Sequence, residues 1–338
     1  MDKVNAKPIL GIILGDAAGV GPEIISKLAA DGFYEEHCRP VILGDLRVFE
    51  RGAKTCGLDI PVQVINKIDE ATWKDGIPVL DQQNLNPEDV PYGKISLESG
   101  KACLDLLKLG VELFENKEID GFCFGPLNKA AMIQAGCKFE SEHHYMANLF
   151  NHTAPFGEIN VLGDLWTTRT TSHIPISKVS DNLSVNTIMR AITLANTTLK
   201  NSGIAKPRLG LAALNPHCGE GGKCGREEID IITPAIERAV AEGIDVKGPF
   251  PSDILFIKAF DGAFDGVVTM YHDQGQIALK LKGFDQGITI AGGFPAPIVT
   301  CAHGTAYDIA GKGIVKTSAF ENAVKMAAKM ASHIRSAE

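Results

Sequence analysis

A chain of 338 residues, 45% hydrophobic and 22% charged, can bury a substantial core as one large domain or two ordinary ones. Its formal net charge of −8, without any Lys/Arg-rich block, argues against nucleic acid as a partner, and no run of about 18 apolar residues suggests a membrane span. The opening Met1-Asp2-Lys3-Val4-Asn5-Ala6-Lys7-Pro8 lacks the apolar core of a secretory signal, and the eight cysteines include no C-x-x-C pair, so a cytoplasmic chain with reduced thiols is expected.

Short apolar runs alternate with helical patterns, which is the signature of α/β architecture. The first expected strand, Ile9–Leu14, runs into Gly15-Asp16-Ala17-Ala18-Gly19-Val20-Gly21-Pro22-Glu23. That loop reads G-x-x-x-G-x-G, neither a Rossmann fingerprint nor a Walker A, and equally describes a tight strand-to-helix turn or a loop that receives an anion. Val41–Gly44 is the next strand. A helix follows in which Leu97, Leu104, Leu107, Val111 and Phe114 share a face. Gly121–Phe124 leads into Gly125-Pro126-Leu127-Asn128-Lys129, and Asn160–Gly163 is followed, after Thr167 to Ser172, by His173-Ile174-Pro175.

A second helix carries Val185, Ile188, Ile192, Ala195 and Leu199 on one face and stops at Ser202-Gly203. Strand Arg208–Leu214 runs into Asn215-Pro216-His217-Cys218-Gly219-Glu220-Gly221-Gly222, Gly266–Thr269 leads through Met270 and Tyr271 into His272-Asp273-Gln274-Gly275, and Gly287–Ile290 is the last expected strand. The segment from Ala319 to about Ser336 is an amphipathic helix expected to pack back on the first part of the chain.

Ligands of open α/β sheets bind beyond the carboxyl ends of the strands. His173, His217 and His272 all arrive there, and three imidazoles with open positions suit a catalytic Lewis acid. Their separations of 44 and 55 residues are no motif, and each alone reads first as a structural or solvent-facing histidine. Gly219, Gly221, Gly222 and Gly225 precede a helix starting near Glu227 and could receive a pyrophosphate or carboxylate at its N-terminus. Asp16, Asp253 and Asp273, with the cations Lys129 and Lys280, fall in the same zone, where each alone reads first as a solvated surface residue. Cys218 and Cys224 match no zinc spacing.

Six of these stretches, in order, carry a resemblance that spans nearly the whole chain: Gly15 to Ile24, Gly125 to Lys129, Ser172 to Pro175, Leu214 to His217, Tyr271 to Gly275 and His303-Gly304-Thr305-Ala306. Together they resemble the 4-hydroxythreonine-4-phosphate dehydrogenase (PdxA) family. The resemblance implies a two-lobed α/β fold like that of isocitrate and isopropylmalate dehydrogenases, with a central cleft, and a homodimer with active sites at its interface. The expected lobes are 1–140 plus about 305–338, and about 141–304 with the metal-binding histidines.

NAD and a divalent metal are the implied cofactors, zinc first, with magnesium, manganese or cobalt as alternatives. His173, His217 and His272 are the implied ligands, one or more donated across the dimer. Lys280 matches a substrate-binding lysine, while Asp253 and Asp273 fall where acidic residues approach metal and substrate. Asp273, Lys280 and Asp253 are thus the candidate catalytic residues, and Gly219, Gly221, Gly222 and Lys129 the candidate cofactor contacts.

The chain departs from the family where substrate is held. The family's Gly-His-Thr-Glu is here Ser141-Glu142-His143-His144, which places Glu142 and His143 at the two contact positions, while a one-residue slip would make His143 the equivalent histidine. The family's Arg and Asn fall on Ile298 and Thr289. A carboxylate gained and a guanidinium lost make a poor cradle for a phosphate dianion. Three readings follow: NAD- and metal-dependent oxidation of a phosphorylated four-carbon hydroxy acid, with decarboxylation if a β-keto acid forms; the same oxidation of an unphosphorylated polyhydroxy acid or carboxylated dihydrodiol; and, from another class, acyl transfer to phosphate on the related fold.

Overall fold

The computed structural model describes residues 6–283 and 285–337, so Met1 to Asn5 of the N-terminal segment lie outside it. In chain order the elements are β1 (Ile9–Ile13), α1 (Gly21–Ala30), α2 (Phe33–His37), β2 (Arg39–Gly44), α3 (Leu46–Thr55), β3 (Val62–Ile65), β4 (Ile77–Asp81), α4 (Leu97–Glu115), β5 (Gly121–Phe124), α5 (Lys129–Gln134) and α6 (Glu142–Leu149). There follow β6 (Gly157–Leu162), β7 (Leu165–Arg169), α7 (Val185–Asn201), β8 (Leu209–Ala212), α8 (Thr233–Ala241), β9 (Val246–Phe250), α9 (Ser252–Phe260), β10 (Gly266–Thr269), α10 (His272–Gly283), β11 (Ile288–Gly292), β12 (Ile298–Cys301) and α11 (Ser318–Ala337). No helix among the described residues is long and apolar enough to cross a membrane.

The chain divides into two compact units, one formed by the residues up to Thr153 together with those from Phe294 onward, the other by Ala154–Gly293. In the first unit six strands run parallel in the order β3-β4-β2-β1-β5-β12. Strands covered on both faces read as continuous apolar runs, and Leu10, Ile12, Ile13, Val41, Ile42 and Phe122 are fully buried. Ser96 caps α4 by accepting a hydrogen bond from the Ser99 amide. Helix α11 packs through Phe320, Ala323, Val324 and Ala327 onto β5, β12 and α2.

The loop after β1 is shaped by close backbone approach. Gly15 has φ +76°, and a Cβ there would stand 2.6 Å from the Gly125 carbonyl. The buried Asp16 accepts hydrogen bonds from Ser99 Oγ and Tyr307 Oη, both at 2.5 Å. These contacts account for the glycine-rich loop as a tight turn between strand ends.

In the second unit the strands lie in the order β11-β6-β7-β10-β8-β9. β11, β6 and β7 are antiparallel neighbours, while β7, β10, β8 and β9 are parallel. Gly163-Asp164 turns β6 into β7, with Gly163 at φ +57°. His173 therefore follows β7 and not the strand that ends near Gly163. A core of Leu165, Leu255, Phe256, Phe264 and Val267 lies under α9.

Candidate active site

The second unit brings two of the three histidines together by strand register. β7 and β10 run parallel with Arg169 beside Thr269. The pairing continues past both ends, because the Thr170 amide donates to Thr269 O at 2.8 Å and the Thr171 amide to Met270 O at 3.1 Å. Thr171 Oγ1 also donates to Met270 O, at 2.7 Å. Two residues beyond each partner come His173 and His272, whose ring centroids are 5.6 Å apart.

Beside this pair, Nδ1 of His272 lies 2.7 Å from Asp273 Oδ1. A neutral imidazole that donates from Nδ1 presents Nε2 as a lone pair, the state a metal or a proton requires. Gln274 locks the first turn of α10: its Oε1 accepts from the Met270 amide at 2.7 Å, and its Nε2 donates to Ala213 O at 2.6 Å and Ser252 Oγ at 2.7 Å. Helix α10 is thereby tied to the end of β8 and the start of α9.

His217 stands apart, exposed on the loop after β8. His217, Cys218, Gly219, Glu220 and Gly221 all have positive φ, from 46° to 77°. Each non-glycine residue held there costs roughly 1–2 kcal/mol, so the loop must be over-determined by its surroundings. The buried Glu228 supplies this, accepting hydrogen bonds from the Leu214 amide at 2.8 Å, the Asn215 amide at 2.7 Å and Asn215 Nδ2 at 2.9 Å. A Cβ on Gly219 would sit 2.9 Å from Glu228 Oε2, whereas Gly221 has open space around it. A π-helical turn, Glu228–Ile232, leads from this loop into α8, and such turns recur at functional sites.

Cys218 donates to Pro249 O at 3.5 Å, and its thiol is raised above its ordinary range by burial and then by the charges of Glu228 and Asp253. Asp253 itself is exposed in the first turn of α9.

The remaining expected residues are distributed over both units. Lys280 is exposed in the last turn of α10. Thr289 is buried on β11, where its Oγ1 accepts from Asn160 Nδ2 at 3.1 Å. In the first unit Ile298 is fully buried on β12 beside Phe122. Lys129 is exposed at the start of α5, which Asn128 caps by accepting from the Ala131 amide at 3.0 Å.

Glu142 and His143 open α6, with Glu142 Oε1 3.6 Å from His143 Nδ1. His143 is buried, and its Nε2 has no hydrogen-bond partner among the described residues. A buried polar atom without a partner costs free energy and calls for a role.

Among the described residues no three of His, Cys, Asp and Glu stand together as a metal-holding group. His173 and His272, with Asp273 orienting the latter, fit two positions of the shell of a borderline divalent ion, and the described residues of one chain bring no third donor to them. Sequence reasoning missed the polar side chains that hold this arrangement, namely Arg169 with its buried side chain, the buried Asn160 and Glu228 and the half-buried Gln276. The only signal for them was their type, since amides and charges on a buried strand or helix face need partners.

Comparison with known proteins agrees with this fold. The family described as Pyridoxal phosphate biosynthetic protein PdxA matches residues 36–327. The 4-hydroxythreonine-4-phosphate dehydrogenase of Desulforapulum autotrophicum is 38% identical over 96% of this chain and 96% of its own. The D-threonate 4-phosphate dehydrogenase of Cupriavidus necator is 37% identical over 96% of this chain and 97% of its own. A solved 4-hydroxythreonine-4-phosphate dehydrogenase from Klebsiella pneumoniae superposes with a TM-score of 0.86 at 31% identity, covering 97% of this chain and 99% of that one.

Proposed function

The chain belongs to the PdxA family, and on that premise we propose that it is an NAD-dependent, divalent-metal-dependent dehydrogenase acting on the CH–OH group of a small phosphorylated hydroxy acid. The observation that carries this reading is the register-matched pair His173 and His272 with Asp273 bonded to Nδ1 of the latter. Among four-carbon substrates, 4-phosphorylated hydroxythreonine, threonate and erythronate share the required group. A homodimer is part of the proposal, with His217 of a second copy completing the ligand set that one chain leaves short. Ile277 and Leu281 on α10 and Ile254 and Ile257 on α9 leave large apolar side chains exposed, which supports a covering partner.

When bound, the ion would polarise the substrate hydroxyl and the nicotinamide would take the hydride from the same carbon, leaving a carbonyl and a proton. This chain's residues would orient and deprotonate. Asp273 and Lys280 are seven residues apart on α10 and thus share a face. Because Asp273 is engaged with His272, its share is orientation, and the neutral amine form of Lys280 is the candidate acceptor for the hydroxyl proton. Asp253 would add negative charge near the ion. His143, with a free Nε2, would donate to or accept from a substrate oxygen, with Glu142 beside it. Gly219, Gly221, Gly222 and Lys129 are the proposed contacts of the dinucleotide.

The second reading, an unphosphorylated polyhydroxy acid or carboxylated dihydrodiol, is favoured by three observations. Ile298 is buried and apolar, Thr289 is engaged with Asn160, and Glu142 adds a carboxylate. NADH absorbance across a panel of hydroxy acids, each with and without a terminal phosphate, decides between them. Turnover confined to phosphorylated members supports the first reading, turnover confined to the others supports the second, and no NAD reduction in the presence of metal overturns both.

A further inference from the structure

Asn160 sits at the meeting point of β6, β7, β11 and α10, buried and outside the chemistry proposed above. Its Nδ2 donates to Glu158 Oε1 at 2.8 Å and to Thr289 Oγ1 at 3.1 Å. Its Oδ1 accepts from Arg169 Nη1 at 2.9 Å and from Gln276 Nε2. A carboxylate only accepts and a guanidinium only donates, so these partners fix which way the amide faces and fill all four of its hydrogen-bonding positions.

Arg169, whose side chain is 7% exposed, uses each of its three guanidinium nitrogens in this cluster. It pairs with Glu158 through Nη2 and donates from Nε to Ser172 Oγ at 3.0 Å, on the residue immediately before His173. Gln276 lies one helical turn after His272 on the same face of α10. One amide oxygen thus receives the last residue of the strand that leads toward His173 and the helix that begins at His272.

We infer that Asn160 is a positioning residue that couples His173 to His272, setting the spacing of the pair through Arg169–Ser172 on one side and Gln276 on the other. The inference rests on reading the two histidines as metal ligands. A buried polar network whose central amide has every position filled holds one geometry, and a gap at that centre loosens what it spans. The network also explains why Thr289 is turned inward, since its hydroxyl completes the Asn160 amide.

The test is a titration of the metal-free protein with Co(II) alone, followed by calorimetry and by the visible absorbance of the bound ion. Gln276→Ala removes the helix side of the coupling from a half-buried position and is expected to weaken Co(II) binding by about tenfold and to shift its spectrum. Asn160→Ala is expected to weaken binding at least as much, and Gln276→Ala is then expected to add nothing. Should Asn160→Ala not fold, Arg169→Lys replaces it, keeping the charge against Glu158 while losing the fork that reaches both Asn160 and Ser172.

His272→Ala separates the two levels. If it leaves Co(II) binding intact, the metal-site reading falls and the coupling with it. If it abolishes binding while Gln276→Ala leaves affinity and spectrum unchanged, or acts equally with and without Asn160, the coupling alone is overturned.

Discussion

Asp273 follows His272 in the chain and holds its Oδ1 2.7 Å from the histidine's Nδ1, at the first turn of α10. The contact favours the tautomer that donates from Nδ1 and leaves Nε2 as the lone-pair nitrogen, as orienting carboxylates do for metal-bound histidines. Asp273→Ala is expected to lower Zn(II) affinity by about 10–100-fold, measured by competition with a chromophoric chelator, with little change in thermal stability because the side chain is exposed. Unchanged affinity would remove Asp273 from the site.

Glu228 makes a separate prediction about the loop that carries His217. Its carboxylate accepts hydrogen bonds from two backbone amides and one side-chain amide while buried. Glu228→Ala would leave those donors unsatisfied and release a turn of consecutive positive φ, at a cost of about 3 kcal/mol. Glu228→Gln keeps one acceptor oxygen and is expected to lose about half as much. Urea unfolding monitored by circular dichroism reads both, and equal stability of all three proteins would show that the loop is held elsewhere.

How far the sequence reveals this site depends on which physical signal a residue carries. Apolar runs on buried parallel strands, such as Ile9 to Ile13 and Gly266 to Thr269, are visible because burial on both faces leaves no polar interruptions. β3, β4, β7, β9 and β12 were not foreseen. Gln63, Pro78, Thr167, Thr168, Gly248 and Pro249 break the pattern on four of them, and Ile298–Cys301 is only four residues long. The face of α4 is legible only in part for a related reason: Leu107 and Val111 are buried as the pattern expects. Leu97 is exposed and Leu104 and Phe114 are half-buried, whereas Gly100 and Gly110 face the sheet and its neighbours. A Cβ on Gly100 would stand 2.1 Å from Ala131 O, so close packing there needs a residue that a hydrophobicity pattern ignores. At the site, His272 could be placed by its strand end, whereas His173 follows β7, a strand the pattern did not show, and their pairing depends on the register of β7 with β10. His217 could be placed after β8, yet nothing in its spacing shows that one chain leaves it away from the other two. Asn160, Arg169 and Gln276 have no spacing signal at all, since they meet only in three dimensions.

The cysteines give a prediction that needs no substrate. Burial pushes the Cys38 and Cys301 thiols up to about 12, and Cys103 and Cys123 are also raised by burial. The thiolate, not the thiol, is the nucleophile that displaces iodide from iodoacetamide, so these four are expected to stay unmodified at pH 8 in the folded protein. Cys224 is exposed and is expected to react first. Mass spectrometry after brief treatment with iodoacetamide, with and without denaturant, identifies the sites. Labelling of Cys123 in the native protein at a rate near that of Cys224 would mean that the parallel sheet of the first unit opens far more readily than its burial implies.

The entry to β10 supplies a pH-dependent stability term. Asp265 accepts hydrogen bonds from Arg208 at its amide, at Nε and at Nη2, over 2.8 Å, 3.0 Å and 2.8 Å, and these hold its carboxyl below the usual aspartate value. A carboxyl whose folded pKa is depressed binds fewer protons folded than unfolded. Its contribution is therefore fully present above the unfolded value of about 3.9 and disappears as pH falls through the folded one. Asp265→Asn is expected to lower the melting temperature at pH 7 by about 1–3 °C, modest because half of the Arg208 side chain meets solvent. The gap between variant and parent should then narrow below about pH 4 and close as Asp265 itself becomes protonated. A gap that persists undiminished at pH 2.5 would assign the loss to packing or to the surviving neutral hydrogen bonds, and would take the charge on Asp265 out of the account of how β8 and β10 are joined.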